Sequence, residues 1–219
     1  MPKGFMGRLL WVNLTDRTIR EEPVSEETLR HYLGGYGLGV KVLYDRMAPG
    51  ADPLGPENIL GFVPGLLTGT GTPFSGRFAV VCKSPLTGGW GDSNCGGYFG
   101  PELRRCGFDG LFITGAAEAP VYLSIQKGQA EIHDASDLWG MDSVGAETAL
   151  QARHGANWQV ASIGQAGEDL SLISGIVTDK GRLAARSGVG AVMGSKRLKA
   201  IAVKGHLRAA AVRCRGNRP

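Results

Sequence analysis

Short apolar runs alternate with polar or glycine-rich joints from one end of the chain to the other. Leu9-Leu10-Trp11-Val12-Asn13-Leu14 is closed by the turn residues Thr15-Asp16, and Thr18-Ile19-Arg20 follows with alternating character, which predicts two strands. Ser25 suits the N-cap of a helix over 26–33, and Gly34-Gly35 stops it. A second helix is expected over 39–47, with Pro49-Gly50 beyond it. Residues 59–63 and 77–83 read as buried strands, while Thr68-Gly69-Thr70-Gly71-Thr72-Pro73 between them is too rich in turn residues for regular structure. Residues 121–125 and 130–133 flank Gln126-Lys127-Gly128-Gln129 and predict a hairpin. Asp142-Ser143 caps a helix that runs to His154 and ends at Gly155, and strands are expected at 159–163 and 170–177. Hairpins and isolated helices without regular strand–helix alternation argue for an α+β fold rather than a doubly wound sheet. Residues 1–206 form the expected domain; 207–219 are Ala/Arg-rich, lose apolar periodicity and are expected to lack structure.

One pattern occurs twice. Gly96-Gly97-Tyr98-Phe99-Gly100 runs into a short helical stretch and then into Gly110-Leu111-Phe112-Ile113-Thr114-Gly115. Gly188-Val189-Gly190 leads likewise through Ala191-Val192-Met193-Gly194-Ser195-Lys196 to Ala200-Ile201-Ala202-Val203-Lys204-Gly205. Aligned from Gly100 and from Gly190, the two segments place Leu103 on Met193, Phe108 on Leu198, Leu111 on Ile201 and Ile113 on Val203. This internal pseudo-duplication implies two related anion sites, because free N–H groups and the dipole at a helix N-terminus favour phosphate. Glycine there lets a ligand approach the backbone. Two cradles suit a ligand with two phosphates, or two copies of one ligand.

Composition narrows the classes. The 219 residues suffice for a sizeable core, and the 35 glycines, well above the usual roughly 7%, read as tight loops. No run approaches the roughly 18 apolar residues of a membrane span. The start lacks the apolar stretch of a signal peptide, so a cytoplasmic address is expected. The net charge of +4 sits largely in Lys196, Arg197, Lys199, Lys204 and the arginines of the tail. That stripe could serve nucleic acid, but no aromatic platform accompanies it, and a solvated face near a phosphate site is the better reading. Cys82, Cys95, Cys106 and Cys214 have no C-x-x-C spacing, and the four histidines lack metal-ligand spacing. Neither glycine loop forms G-x-G-x-x-G after a strand, nor a P-loop.

Pro85-Leu86-Thr87-Gly88, Asn94-Cys95-Gly96-Gly97-Tyr98-Phe99-Gly100, Ile163-Gly164-Gln165-Ala166-Gly167-Glu168 and the segment from Ala185-Arg186-Ser187-Gly188 to Lys196 occur together and in this order. With Leu198-Lys199-Ala200-Ile201-Ala202-Val203 they closely resemble the N-terminal domain of the tungsten-containing aldehyde:ferredoxin oxidoreductases, over about residues 5 to 206. The resemblance implies two β-sheets with a few helices, carrying tungsten or molybdenum held by two pterins whose phosphates share a magnesium ion. By resemblance, the backbone carbonyls of Asn94 and Leu183 face that magnesium, and Arg77 lies between pterin and an iron–sulfur cluster. Arg182 and Arg186, with Cys95, Gly96, Gly97, Gly188 and Gly190, match the loops around pterin and phosphate. On the residues alone Arg77 reads first as a solvated charge and Glu168 as a helix or loop charge rather than a base. Asn94 could simply be a turn residue, and Arg186 among small residues suits a phosphate grip as well as a bland role. Lys83 and Lys196 could help to neutralise phosphate, but exposed lysines are common and an ordinary surface role is the better reading.

The family's [4Fe-4S] cysteines lie in later domains that this chain lacks, which leaves a truncated reading frame, a frameshifted product and a natural single-domain relative all open. The complete enzyme implied by the resemblance oxidises an aldehyde to the carboxylic acid and passes electrons to ferredoxin. Missing domains or a partner subunit then complete the site, and homo-oligomer formation is left open. No general acid or base is named. The rival readings are a non-catalytic module for another phosphate ligand and an inactive truncated product.

Overall fold

The computed structural model describes residues 4–207. Six strands of the first half, β1 (Arg8–Asn13), β2 (Thr18–Pro23), β3 (Leu60–Pro64), β4 (Phe78–Lys83), β5 (Trp90–Cys95) and β6 (Gly110–Thr114), form a mixed sheet. Its order is β2-β1-β6-β3-β4-β5. Six more, β7 (Val121–Gln126), β8 (Gln129–Asp134), β9 (Gln159–Ser162), β10 (Ile176–Thr178), β11 (Arg182–Ala184) and β12 (Leu198–Lys204), form a second sheet in the order β8-β7-β12-β9-β10-β11. The helices are α1 (Glu26–Tyr32), α2 (Gly35–Arg46), α3 (Phe99–Arg105), α4 (Ser143–His154), α5 (Gln165–Glu168) and α6 (Val189–Ser195). The tail expected at 207–219 lies, beyond Leu207, outside the described residues.

The duplication reaches well past the two aligned segments. Each half opens with an antiparallel hairpin, β1–β2 or β7–β8. The last strand of each half, β6 or β12, then lies parallel to the first strand of its hairpin. Three antiparallel strands complete each sheet on the far side, β3-β4-β5 in one and β9-β10-β11 in the other. The helices α3 and α6 hold equivalent places, each joining the edge strand to the central parallel one.

These two helices sit between the sheets. Leu103 of α3 and Met193 of α6, the pair matched in the repeat, are both fully buried in one cluster with Phe62, Val80, Ile125, Ile163 and Ile201. Full burial of such side chains contributes about 1.5–3 kcal/mol each. Beyond β3, α3 also touches β9 and β12 of the other half, and α6 touches β3, β4 and β5, so neither half has a complete core alone. The outer face of the first sheet is covered by α1 and α2, through Leu29, Leu38 and Val42 on Trp11, Val81 and Phe112. The outer face of the second is covered by α4, through Leu150 on Tyr122, Val160 and Ala202.

Local signals account for the helix ends. Ser25 Oγ accepts the Thr28 N–H, and Asp142 accepts that of Gly145, 2.7 Å away. Two expectations are corrected. The second helix starts at Gly35 rather than Gly39, because its glycines allow close packing: a Cβ on Gly39 would lie 2.9 Å from Val81 Cγ1. The strand expected at 170–177 is only Ile176–Thr178; before it come turns, with Leu170 at φ +57° and Leu172 and Ile173 exposed.

Candidate functional site

The edge strands β5 and β11 are the outermost strands of their sheets and pack against each other where the two halves meet. Cys95 Sγ of β5 lies 3.5 Å from Thr178 Oγ1 of β10. Alongside, the Arg186 N–H donates to Ser93 Oγ over 3.1 Å, and Ser187 Oγ donates to the Asp92 carbonyl over 2.9 Å. The strand from one half and the glycine loop of the other are thereby stitched into one wall.

A cleft of about 570 Å³ opens over this wall, lined by Tyr36, Arg77, Asn94, Leu183, Ala185 and Arg186 with Asp92 and Ser93. An adjoining hollow of about 400 Å³ shares Tyr36, Arg77 and Asn94. Four of the residues singled out in the sequence, Arg77, Asn94, Leu183 and Arg186, are therefore brought together from both halves, and all four are exposed. Asn94 Nδ2 donates to Tyr36 Oη at 2.5 Å. The loop that bears Arg77 is anchored by its carbonyl, which accepts from Thr68 Oγ1 at 2.6 Å and from the Gly65 N–H. Two guanidiniums flanking an open polar hollow suit a doubly charged oxyanion ligand, which arginine grips bidentately.

The remaining residues of the set are placed differently. Arg182 runs beside the first glycine loop, its Nη1 3.6 Å and its Cδ 2.7 Å from where a Cβ on Gly96 or Gly97 would stand. Cys95 is buried beneath the cleft, and burial pushes its thiol up from the ordinary value. Gly188 and Gly190 are buried too, and a Cβ on either would meet backbone oxygen, Leu172 O at 2.5 Å or Gly175 O at 2.6 Å. These two glycines are thus explained by packing of the chain on itself, not by an open approach for a ligand.

The expected cradles at the helix N-termini need the same revision. The Tyr98 N–H ahead of α3 donates to Asp179 Oδ2 over 2.9 Å, and the Gly190 N–H in α6 donates to the Ser174 carbonyl over 3.1 Å. One N–H at each helix start is thus taken by a protein group, and the arginines along the cleft are the exposed cations beside it. Lys83 and Lys196 are not phosphate neutralisers either. Lys83 Nζ donates to Ala51 O at 2.6 Å; Lys196 is fully buried and donates to the carbonyls of Pro56 and Gly115. Lys199, also buried, pairs with Glu168, which gives that carboxylate a structural role. Of the basic stripe read from the sequence, Lys196 and Lys199 are therefore buried and Arg197 is exposed, while the arginines of the tail lie outside the described residues.

Tyr36, Asp92, Ser93 and Asp179 were missed. Tyr36 stands in Gly34-Gly35-Tyr36-Gly37, which reads as a helix stop, and Asp179 in an ordinary turn, Thr178-Asp179-Lys180-Gly181. Only the turn offers a local signal, and it points to a hairpin rather than to a site. Among the described residues, no group of three or more His, Cys, Asp or Glu side chains could hold a metal ion. None of their helices is long and apolar enough to cross a membrane.

Residues 9–205 match the family model described as aldehyde ferredoxin oxidoreductase, N-terminal domain. The chain is 48% identical over 206 residues to a tungsten-containing aldehyde ferredoxin oxidoreductase of Pyrococcus abyssi (strain GE5 / Orsay), covering 94% of this chain and 34% of the relative. It is 37% identical to the aliphatic sulfonate oxidoreductase, WOR-like subunit, of Pyrococcus furiosus, over 92% of this chain and 35% of that one. Among solved structures, the active site complex BamBC of benzoyl coenzyme A reductase with 1,5-dienoyl-CoA superposes with a TM-score of 0.93 at 36% identity. That match covers 96% of this chain and 32% of the other. The chain spans about a third of the length of the curated relatives it matches. With the repeat, the sheet order and the family match in agreement over nearly all the described residues, the chain belongs to the aldehyde ferredoxin oxidoreductase N-terminal domain family.

Proposed function

We propose that this chain is the cofactor-bearing floor of a tungsten (or molybdenum) bis-pterin oxidoreductase acting on aldehydes, completed by further domains or a partner subunit. The single observation that carries the reading is the cleft that gathers Arg77, Asn94, Leu183 and Arg186 from two topologically equivalent halves. A ligand with two like arms, each ending in phosphate, suits a floor with two like edges.

The residues present fit such a group. Arg77 and Arg186 would bind its anionic parts, Arg182 would reach it from the Gly96–Gly97 side, and the backbone carbonyls of Asn94 and Leu183 would hold magnesium. Tyr36 orients Asn94 through their hydrogen bond. When bound, the metal-pterin supplies two-electron oxidation of an aldehyde to a carboxylic acid, with ferredoxin as acceptor through a [4Fe-4S] cluster held elsewhere. The open side of the cleft needs a cover, because a wet site weakens every electrostatic contact within it. Aldehyde is favoured over sulfonate by the higher identity to the aldehyde enzyme, 48% against 37%. A cytoplasmic address belongs to the same reading.

The test is metal and phosphorus analysis of the chain, purified anaerobically from a host supplied with tungstate. Tungsten with phosphorus in about a one-to-two ratio is expected. A folded chain free of both refutes cofactor binding by this domain.

A further inference from the structure

The turn between β10 and β11 places two consecutive non-glycine residues in the left-handed region, Asp179 at φ +49° and Lys180 at φ +55°. Such backbone costs about 1–3 kcal/mol per residue and persists only where its surroundings hold it. Here the hold comes from both sides. Behind the turn, the buried Glu147 of α4 accepts the Lys180 N–H over 2.9 Å. In front, the Asp179 carboxylate crosses to the other half and accepts the Tyr98 N–H over 2.9 Å.

The same oxygen, Oδ2, lies 3.6 Å from Arg182 Nε. Asp179 is largely covered, 11% exposed at its side chain, whereas Arg182 remains 57% exposed. The carboxylate is therefore the fixed partner and the guanidinium the group it aims. Gly97 makes the arrangement sterically feasible: a Cβ there would fall 1.7 Å from Asp179 Oδ2. Glycine at 97 is thus required by the aspartate of the opposite half, which gives this loop residue a reason that its own half does not contain.

We propose that Asp179 is a positioning residue, which fixes the Arg182 guanidinium over the Gly96–Gly97 loop and so ties the two halves together at the cofactor edge. This rests on the proposed function for its ligand but not for its geometry. The charged and titratable groups that face the turn are Arg182 and Lys180 beside it, Glu147 from α4, and Cys95 from β5. Burial raises the Asp179 carboxyl above its ordinary 3.8, against the pull of the Tyr98 N–H and of Arg182.

The experiment uses the full chain labelled with nitrogen-15. In the wild type, the Arg182 Nε–H and Tyr98 N–H resonances are expected to shift together with one midpoint above 3.8. Asp179→Asn, which keeps an acceptor for Tyr98, is expected to abolish the Arg182 shift. A residue that merely caps α3 moves Tyr98 alone, and that result overturns the proposal; it is readable in the wild type even if the variant fails to fold. Tungsten and phosphorus are measured on the same preparations, with a several-fold loss expected in Asp179→Asn. Equal loading of a folded variant overturns positioning while the cofactor reading stands. An unloaded wild type with coupled resonances overturns the cofactor reading and leaves Asp179 as the residue that holds Arg182.

Discussion

Asn94 and Leu183 occupy one position in the two halves of the molecule. Each is the last residue but one of an edge strand, β5 or β11, and each is exposed. Each precedes a small buried residue, Cys95 or Ala184, after which the chain turns into the helix between the sheets. An amide and an isobutyl group share no chemistry, so what the two positions have in common is their backbone. The proposed role of the paired carbonyls uses that shared feature.

It follows that side-chain truncation at these positions is mild and truncation of the arginines is not. Leu183→Ala is expected to leave tungsten loading of the chain unchanged, whereas Arg186→Ala lowers it about ten-fold or more, the loss of charge-assisted contacts. Elemental analysis of the two purified variants decides the matter. Equal loading in both would remove Arg186 from the binding set.

Gly97 and Gly181 separate a glycine needed for packing from one that is not. Gly97 has φ +105° and no room beside Asp179, while a Cβ on Gly181 meets nothing within 4 Å. Gly97→Ala is expected to lose about 1–3 kcal/mol, and Gly181→Ala to stay within about 0.5 kcal/mol of the wild type. Urea unfolding of both reads the difference; a neutral Gly97→Ala contradicts the close approach of the two halves at this loop.

Much of the fold was legible where local chemistry and tertiary packing agree. The hairpin β7–β8, the helix α4 with its Asp142 cap, and the repeat from α3 to β6 and from α6 to β12 all carry strong periodic or capping signals. The edge strands were not legible. Trp90-Gly91-Asp92-Ser93-Asn94-Cys95 turns Gly91, Ser93 and Cys95 inward, so its buried face is small and partly polar and shows no apolar alternation. β11 has only three residues, too few for any period. Those two strands build the site, so the site's residues could be named from family likeness but not assembled from pattern. Lys196 and Lys199 misled for the opposite reason: nothing local reveals that a lysine on a basic stripe will be buried against carbonyls or a carboxylate.

Lys199 and Glu168 form a buried pair, with side chains 0% and 6% exposed. Lys199 Nζ also donates to Met141 O at 2.6 Å, and Glu168 Oε2 accepts the Gly140 N–H at 2.9 Å. Removal of one partner strands a buried charge and costs about 3–5 kcal/mol, while replacement of both by apolar residues of similar size is far milder. Chemical unfolding of Lys199→Met and of Lys199→Met/Glu168→Leu is expected to place the double variant closer to the wild type. A double variant weaker than the single one contradicts this account of the pair.

Lys196 gives the chain a stability that depends on pH in the alkaline range. Its ammonium donates to Pro56 O at 3.3 Å and Gly115 O at 3.1 Å, and burial lowers it from 10.5 to about 8, with Glu57 and Cys82 opposing the shift. In the unfolded chain the lysine keeps its proton until about pH 10.5, so across the interval from 8 upward the unfolded state binds more protons than the folded one. The contribution of Lys196 therefore rises with pH through this window and is lost as pH falls back through 8. The thiols of Cys82 and Cys106 act in the other direction. Burial pushes both to about 12, so above their ordinary 9.0 the unfolded chain releases protons that the folded chain retains, and stability declines. Between pH 8 and 9 the thiols already oppose the lysine, but they are common to the wild type and Lys196→Met, so the difference between the two proteins isolates the lysine. Over that unit the wild type is expected to gain about 1 kcal/mol relative to Lys196→Met, measured by urea unfolding at matched ionic strength. A flat or falling difference between the two proteins means that Lys196 keeps its proton in the folded chain, held by its two carbonyls against the cost of burial.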